Sequence, residues 1–266
     1  MFQKCINILK LLSRIFRCCK KERFLPLTNC AYTHLEKKPR SIVTWNIQGL
    51  FLHMNNQKTK NIISTLQSFQ STDIICLQEV FDDDLKETII YKLKDVYPYY
   101  LLGNTNKRYL FGEDSGLLIL SRYPIEFKKE IILNQYNFPD RLANKSILYF
   151  SIGDLNLVTT HLQSNNMFEN ESMVIRQLYQ LKEKSPFDKY IITGDLNSEM
   201  AYFHLQLEKN NYTRTWGDDE ILDYILPCNY TDIWINTSVY DMNIDNVSDH
   251  YPLSGVVQRD KDSSKK

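Results

Sequence analysis

The chain has 266 residues, 43% hydrophobic and 12% aromatic, which supplies apolar side chain for one large domain or two small ones and excludes disorder as its overall state. Lys plus Arg and Asp plus Glu both number 32, so no overall charge marks a nucleic-acid binder. The distribution is uneven: residues 1–40 hold ten Lys/Arg against two Asp/Glu, and the remainder is net acidic by eight.

In chain order, Phe2, Ile6, Leu9, Leu12 and Phe16 recur every three or four positions, with Lys10, Arg14, Arg17 and Lys21 opposite them, which predicts a basic amphipathic helix. Its charges interrupt any membrane-spanning run, and it lacks the cleavage site of a signal peptide. The expectation is a cytoplasmic chain with neither transmembrane helix nor signal peptide. Residues 2–23 either lie on a membrane surface or pack on the domain itself. Cys18 and Cys19, beside Lys20, Lys21 and Arg23, resemble an acylation site next to a polybasic patch. The other cysteines, Cys5, Cys30, Cys76 and Cys228, show no metal-binding spacing and predict no disulfide framework. Pro26 and Pro39 bracket a linker, so the expected organisation is a basic segment and linker at 1–40, a catalytic domain at 41–258 and a polar tail at 259–266.

Beyond Arg40, strand-like runs are predicted at 41–47, 73–78, 97–102, 116–121, 125–133, 146–152, 155–160, 190–193, 222–226, 231–235 and 252–257. Helical spacing appears at 57–71, 84–94 and 170–184, and Gly153-Asp154 reads as a hairpin turn. Strands outnumber helices, and hairpins mix with crossovers. The expected fold is α+β, with two packed sheets and helices outside.

Polar groups gather where the strands end: Asn46, Gln78-Glu79, His161, Asp195-Leu196-Asn197 and Ser248-Asp249-His250. A carboxylate such as Glu79 at such a point is a surface residue or a ligand for a hard cation. Period-two geometry would place Asp195 and Asn197 on one face. Asp223 lies inside an otherwise apolar strand, and a buried Asp needs a partner.

In this order and spacing the groups closely resemble the endonuclease/exonuclease/phosphatase superfamily, whose motifs are a Trp-Asn strand end, Leu-Gln-Glu, Thr-His, Gly-Asp-X-Asn and Ser-Asp-His. The resemblance implies a four-layer α/β/β/α sandwich of two mainly antiparallel sheets and a metal-dependent phosphoric diester hydrolase. It assigns Mg²⁺, with Mn²⁺ as an alternative, to Asn46, Glu79 and Asp249. His250 would take a proton from the attacking water, with Asp223 on its other nitrogen, although the residues leave open whether Asp195 or His250 is the base. Asp195 and Asn197 would orient water and phosphoryl oxygens, and His161 would donate to the transition state. Gln48 stands where abasic-site endonucleases often carry an aspartate near the metal.

The stretches 76–82, 115–125 and 160–164 are most similar to neutral sphingomyelinases. So is the pair Asp140 and Lys145, which in those enzymes is associated with switching the site on. The implied substrate is a phospholipid, sphingomyelin, cleaved to ceramide and phosphocholine. Duplex DNA carries a negative charge every ~1.7 Å of axis, and an acidic core supplies few contacts to it. The alternative is a DNA endonuclease or tyrosyl-DNA phosphodiesterase acting on nucleic acid, which 44–50, and 160–162 with 176–178, also resemble.

Overall fold

A computed structural model describes residues 38–260, apart from 51–52, 107–111, 134–136, 139, 165–170, 208–213 and 218–219. The amphipathic segment, Cys18, Cys19 and the tail at 261–266 lie outside the described residues. No helix among the described residues is long and apolar enough to cross a membrane.

Eleven strands form two sheets among the described residues. The first has six: β1 (Ser41–Asn46), β2 (Ile74–Gln78), β3 (Tyr99–Leu102), β4 (Leu118–Ser121), β10 (Ile233–Val239) and β11 (Leu253–Arg259), in the order β10-β11-β1-β2-β4-β3. The second has five, side by side in chain order: β5 (Ile125–Ile132), β6 (Ser146–Ile152), β7 (Leu155–His161), β8 (Tyr190–Asp195) and β9 (Asp223–Cys228). Each sheet contains one parallel pair, β1 with β2 and β7 with β8, and the other neighbours are antiparallel. A parallel pair puts two strand C-termini side by side, so each sheet delivers two polar strand ends to the same edge.

The side chains dictate the layers. Ile42, Ile74, Leu148, Phe150, Ile191 and Leu253 fill the space between the sheets. At roughly 1.5–3 kcal/mol for each fully buried large apolar side chain, this layer is the main force holding sheet to sheet. On the outer face of the first sheet pack helix α1 (Asn56–Ser68), through Ile62 and Leu66, and helix α2 (Asp83–Leu93), through Leu85 and Ile89. Asn55 caps α1 by accepting from the Lys58 amide, and Asp82 caps α2 by accepting from the Leu85 amide. Helix α3 (Glu171–Glu183) covers the second sheet through Val174, Leu178 and Leu181.

The predicted strands stand to within four residues at each end, and Ser146–Ile152 coincides with its prediction. A short helix α4 (Ala201–His204) was absent from the sequence reading. Four residues cannot display a period, and its burial rests on Ala201, which joins the apolar cluster that Val174, Leu178 and Leu181 also enter. One predicted geometry is corrected. Asn197 does not continue the alternation of β8, because its φ is +49° and its amide folds back onto Asp195 Oδ1 at 3.0 Å.

Candidate active site

Backbone register assembles the site. β1 and β2 end together at Asn46 and Gln78, which are paired, and β7 and β8 end together at His161 and Asp195, also paired. Antiparallel β9 begins at Asp223, directly opposite Asp195. Gly194 allows the second parallel pair to close: a Cβ there would stand 2.1 Å from the Thr160 carbonyl oxygen, and its φ is +125°. Gly49 makes a similar approach, where a Cβ would lie 2.6 Å from the Glu79 carbonyl oxygen. Among the described residues, three of the six non-glycine residues at positive φ, Gln48, Glu79 and Asn197, are at these strand ends. Such conformations are costly and persist where surrounding contacts impose them.

Asn46 joins the sheets. Its amide nitrogen donates to Glu79 Oε1 at 3.2 Å, from its own sheet, and to Asp195 Oδ2 at 3.0 Å, from the other. Burial pushes the Glu79 carboxyl up from its ordinary range. Burial also raises Asp195, to about 7, against the pull of His250. Two carboxylates thus share one neutral amide in a dry setting.

The two histidines flank Asp195. His250 Nδ1 lies 2.7 Å from Asp223 Oδ2, and its Nε2 lies 3.7 Å from Asp195 Oδ2. Burial disfavours its charge, but Asp223 and Asp195 outweigh burial and lift it to about 10. The loop carrying it is tied to β1: Trp45 Nε1 donates to the His250 carbonyl at 2.9 Å, and Ser248 Oγ donates to the Asn46 carbonyl at 2.6 Å.

His161 is in the opposite field. Burial and then the Lys145 ammonium hold it well below its ordinary value. Lys145 Nζ donates to His161 Nε2 at 3.1 Å and to the Leu162 carbonyl at 2.8 Å, and pairs with Asp140 Oδ1 at 2.9 Å. The neutral ring accepts at Nε2, so its proton is on Nδ1, which has no partner among the described residues. Asp140 Oδ2 accepts from the Ser164 amide at 2.6 Å and Gln163 Nε2 at 2.9 Å. Asn197 Nδ2 donates to the same Leu162 carbonyl, at 3.1 Å.

All ten residues singled out from the sequence lie in this region, although Asp249 is exposed at the rim, where its Oδ2 accepts from Trp216 Nε1 at 3.3 Å. Arg176, from the nucleic-acid resemblance, stands apart and bonds only locally, to Ser172.

Three residues were missed. Thr215 Oγ1 accepts from the Asp223 amide at 3.0 Å, and the Trp216 ring centroid is 6.4 Å from that of His250. Neither carries a sequence signal beyond its own chemistry. Lys58 did carry one, standing in register with Ile62 and Leu66 on the buried stripe of α1.

The donor set fits a hard cation. Glu79 and Asp195 offer carboxylate oxygens with Asp249 nearby, and the burial that raises the first two is what a bound cation would offset. Asn46 faces them with nitrogen, so its amide must turn over before Oδ1 can serve as a ligand. Asp195, Asp223 and His250 also offer three atoms within 4.8 Å of one another, a spacing that could hold a metal ion. His250 Nδ1 is, however, committed to Asp223, which favours a histidine–carboxylate pair there.

A model of the endonuclease/exonuclease/phosphatase family matches residues 43–250. Sphingomyelinase C of Bacillus cereus is 25% identical, over 79% of this chain and 84% of its own. Human tyrosyl-DNA phosphodiesterase 2 is also 25% identical, over 73% of this chain but 47% of its own. Among solved structures, a beta toxin variant of Staphylococcus aureus with bound magnesium ions superposes with a TM-score of 0.66 at 19% identity, covering 82% of this chain and 99% of that one. At that identity the likeness establishes the fold, a two-sheet α/β sandwich.

Proposed function

Since the chain belongs to the endonuclease/exonuclease/phosphatase family and is a phosphoric diester hydrolase, we propose that its substrate is sphingomyelin, cleaved to ceramide and phosphocholine. The observation that carries the choice is the contact of Lys145 with both Asp140 and His161. Those are the residues that resemble neutral sphingomyelinases, and they end against a strand-end histidine of the site. The net acidic sequence beyond residue 40 agrees, because a zwitterionic headgroup needs no basic track.

In the mechanism we propose, Glu79, Asp195 and Asp249, with Asn46 after its amide turns, hold a divalent cation of the Mg²⁺ kind. When bound, that cation supplies Lewis acidity and lowers the pKa of every nearby group. A cation held there would favour the charged form of Asp195 and would lower the His250 pKa from about 10. This makes His250 the general base, oriented by Asp223 through Nδ1. Nε2 takes a proton as the water oxygen bonds to phosphorus. The bond from phosphorus to the ceramide oxygen breaks, and that alkoxide leaves with a proton from solvent or from His250. Asn197 offers an N–H group to the phosphoryl oxygens as charge builds, and His161, whose Nε2 lies 3.5 Å from Asp195 Oδ2, would join it as a donor in the tautomer that carries the proton on Nε2.

The test is a substrate panel with purified protein and Mg²⁺, with and without chelator. Chelator-sensitive release of phosphocholine from sphingomyelin vesicles is the expected result. Cleavage of tyrosyl-DNA or abasic DNA without phosphocholine release would overturn the lipid reading in favour of the nucleic-acid one, to which the likeness to human tyrosyl-DNA phosphodiesterase 2 lends support.

A further inference from the structure

Lys58 is a charged residue in a place that folding alone does not favour. It is in the first turn of α1, where the helix dipole disfavours a cation, and it points inward, only 6% exposed. Its ammonium donates to the Gln48 carbonyl at 2.8 Å and to Gln48 Oε1 at 3.0 Å. Gln48 has a φ of +47°, and its own amide donates to Asn46 Oδ1 at 3.0 Å. That bond turns the Asn46 nitrogen toward Glu79 and Asp195. A continuous hydrogen-bonded line therefore runs from Lys58 through Gln48 to the residue that bridges the two carboxylates.

The charge acts in the same direction as the geometry. Burial lowers the Lys58 pKa, while Asp249 and Glu79 sustain its charge through space. Both are among the carboxylates assigned above to a divalent ion. Gln48 is neutral, so the position offers the lysine two acceptors and the divalent ion no added charge.

We propose that Lys58 is a resident cation of the divalent-ion site: a positioning residue that fixes Gln48 and Asn46 and fills part of the site's negative field. The inference rests on the divalent-ion reading above. Lys58 weakens the first ion by repulsion and by holding Asn46 in its donor orientation.

The test is titration with Mn²⁺ alone, following free ion by electron paramagnetic resonance, on the full chain and on Lys58→Met and Lys58→Arg. Lys58→Met should bind Mn²⁺ about ten-fold more tightly, as loss of one charge within the same site implies. Lys58→Arg should stay close to the parent. Lys58→Gln, which keeps a donor toward Gln48 without the charge, should reproduce the tightening and serves if the Met variant does not fold. Unchanged or weaker Mn²⁺ binding in the folded neutral variants, with only a lower melting temperature, would make Lys58 structural and overturn the proposal. A parent chain that binds no Mn²⁺ would instead overturn the divalent-ion reading, and this inference with it.

Discussion

Two histidines stand on either side of Asp195 and differ in nearly everything except their place at the end of a polar segment. His250 faces Asp223 and Asp195 and is lifted to about 10, whereas His161 faces Lys145 and is pressed well below its ordinary value. Both are deeply buried, so burial does not explain the difference. The neighbouring charge does. One protein end thus keeps one imidazole ready to hold a proton and the other neutral, a division of labour that a single shared environment could not provide.

The largest expected effects come from removing the two rings themselves. His250→Ala should lower turnover by about 10²–10⁴-fold, the range for loss of a positioned acid–base group. His161→Ala should cost about 10²–10³-fold, as for a transition-state donor. The pH–rate profiles separate the roles: the limb set by His250 should vanish in the first variant and survive in the second. If both variants keep the parent's profile, the comparison fails.

A smaller effect should follow from exchanging the fields rather than the rings. Lys145→Met removes the ammonium from His161, whose pKa should then rise, read from its ring proton by NMR titration. Activity should fall about 10–100-fold, the usual cost of losing a group that orients a functional one. An unmoved His161 titration would show that burial alone depresses it.

The smallest effect is on stability in chelator, followed as the denaturant midpoint against pH. Asp195 and His250 bind protons more tightly folded than unfolded, so each stabilises most at low pH. The Asp195 contribution is full below 3.8 and lost as pH rises through about 7, and that of His250 is full below 6.5 and lost through about 10. His161 runs the other way, with its contribution present above 6.5 and lost as pH falls. Asp223→Asn should move the loss near 10 to lower pH, because Asp223 is the foremost charge raising His250, and should move the one near 7 less, because Asp223 contributes there behind burial. An unmoved alkaline step in that variant would disconnect it from the His250–Asp223 pair.

Strand positions and the polar strand ends were legible because apolar runs in this chain stop abruptly at Asn46, Glu79, His161 and Asp195. That Asp223 needs a partner was legible too, since a carboxylate inside an apolar strand requires one, and the resemblance implied that the partner is His250. The field around His161 was not. Lys145 is 16 positions before His161 and meets it only because β6 and β7 form a hairpin whose register is set by the turn at Gly153. Lys58 lay in plain view at a buried helical position, but its target, Gln48, is reached through a left-handed backbone that the residue type does not announce. Asn197 misled for the same reason, because turn geometry overrode alternation after one residue.

The bond from Asn46 to Asp195 spans 149 positions and two sheets, and β1 is closed on its other side by β11, whose strand follows His250. During synthesis, then, early strands wait for late ones: neither β1 with β2 nor β7 with β8 holds a complete site. The nascent chain stays chemically silent until β11 has emerged and docked.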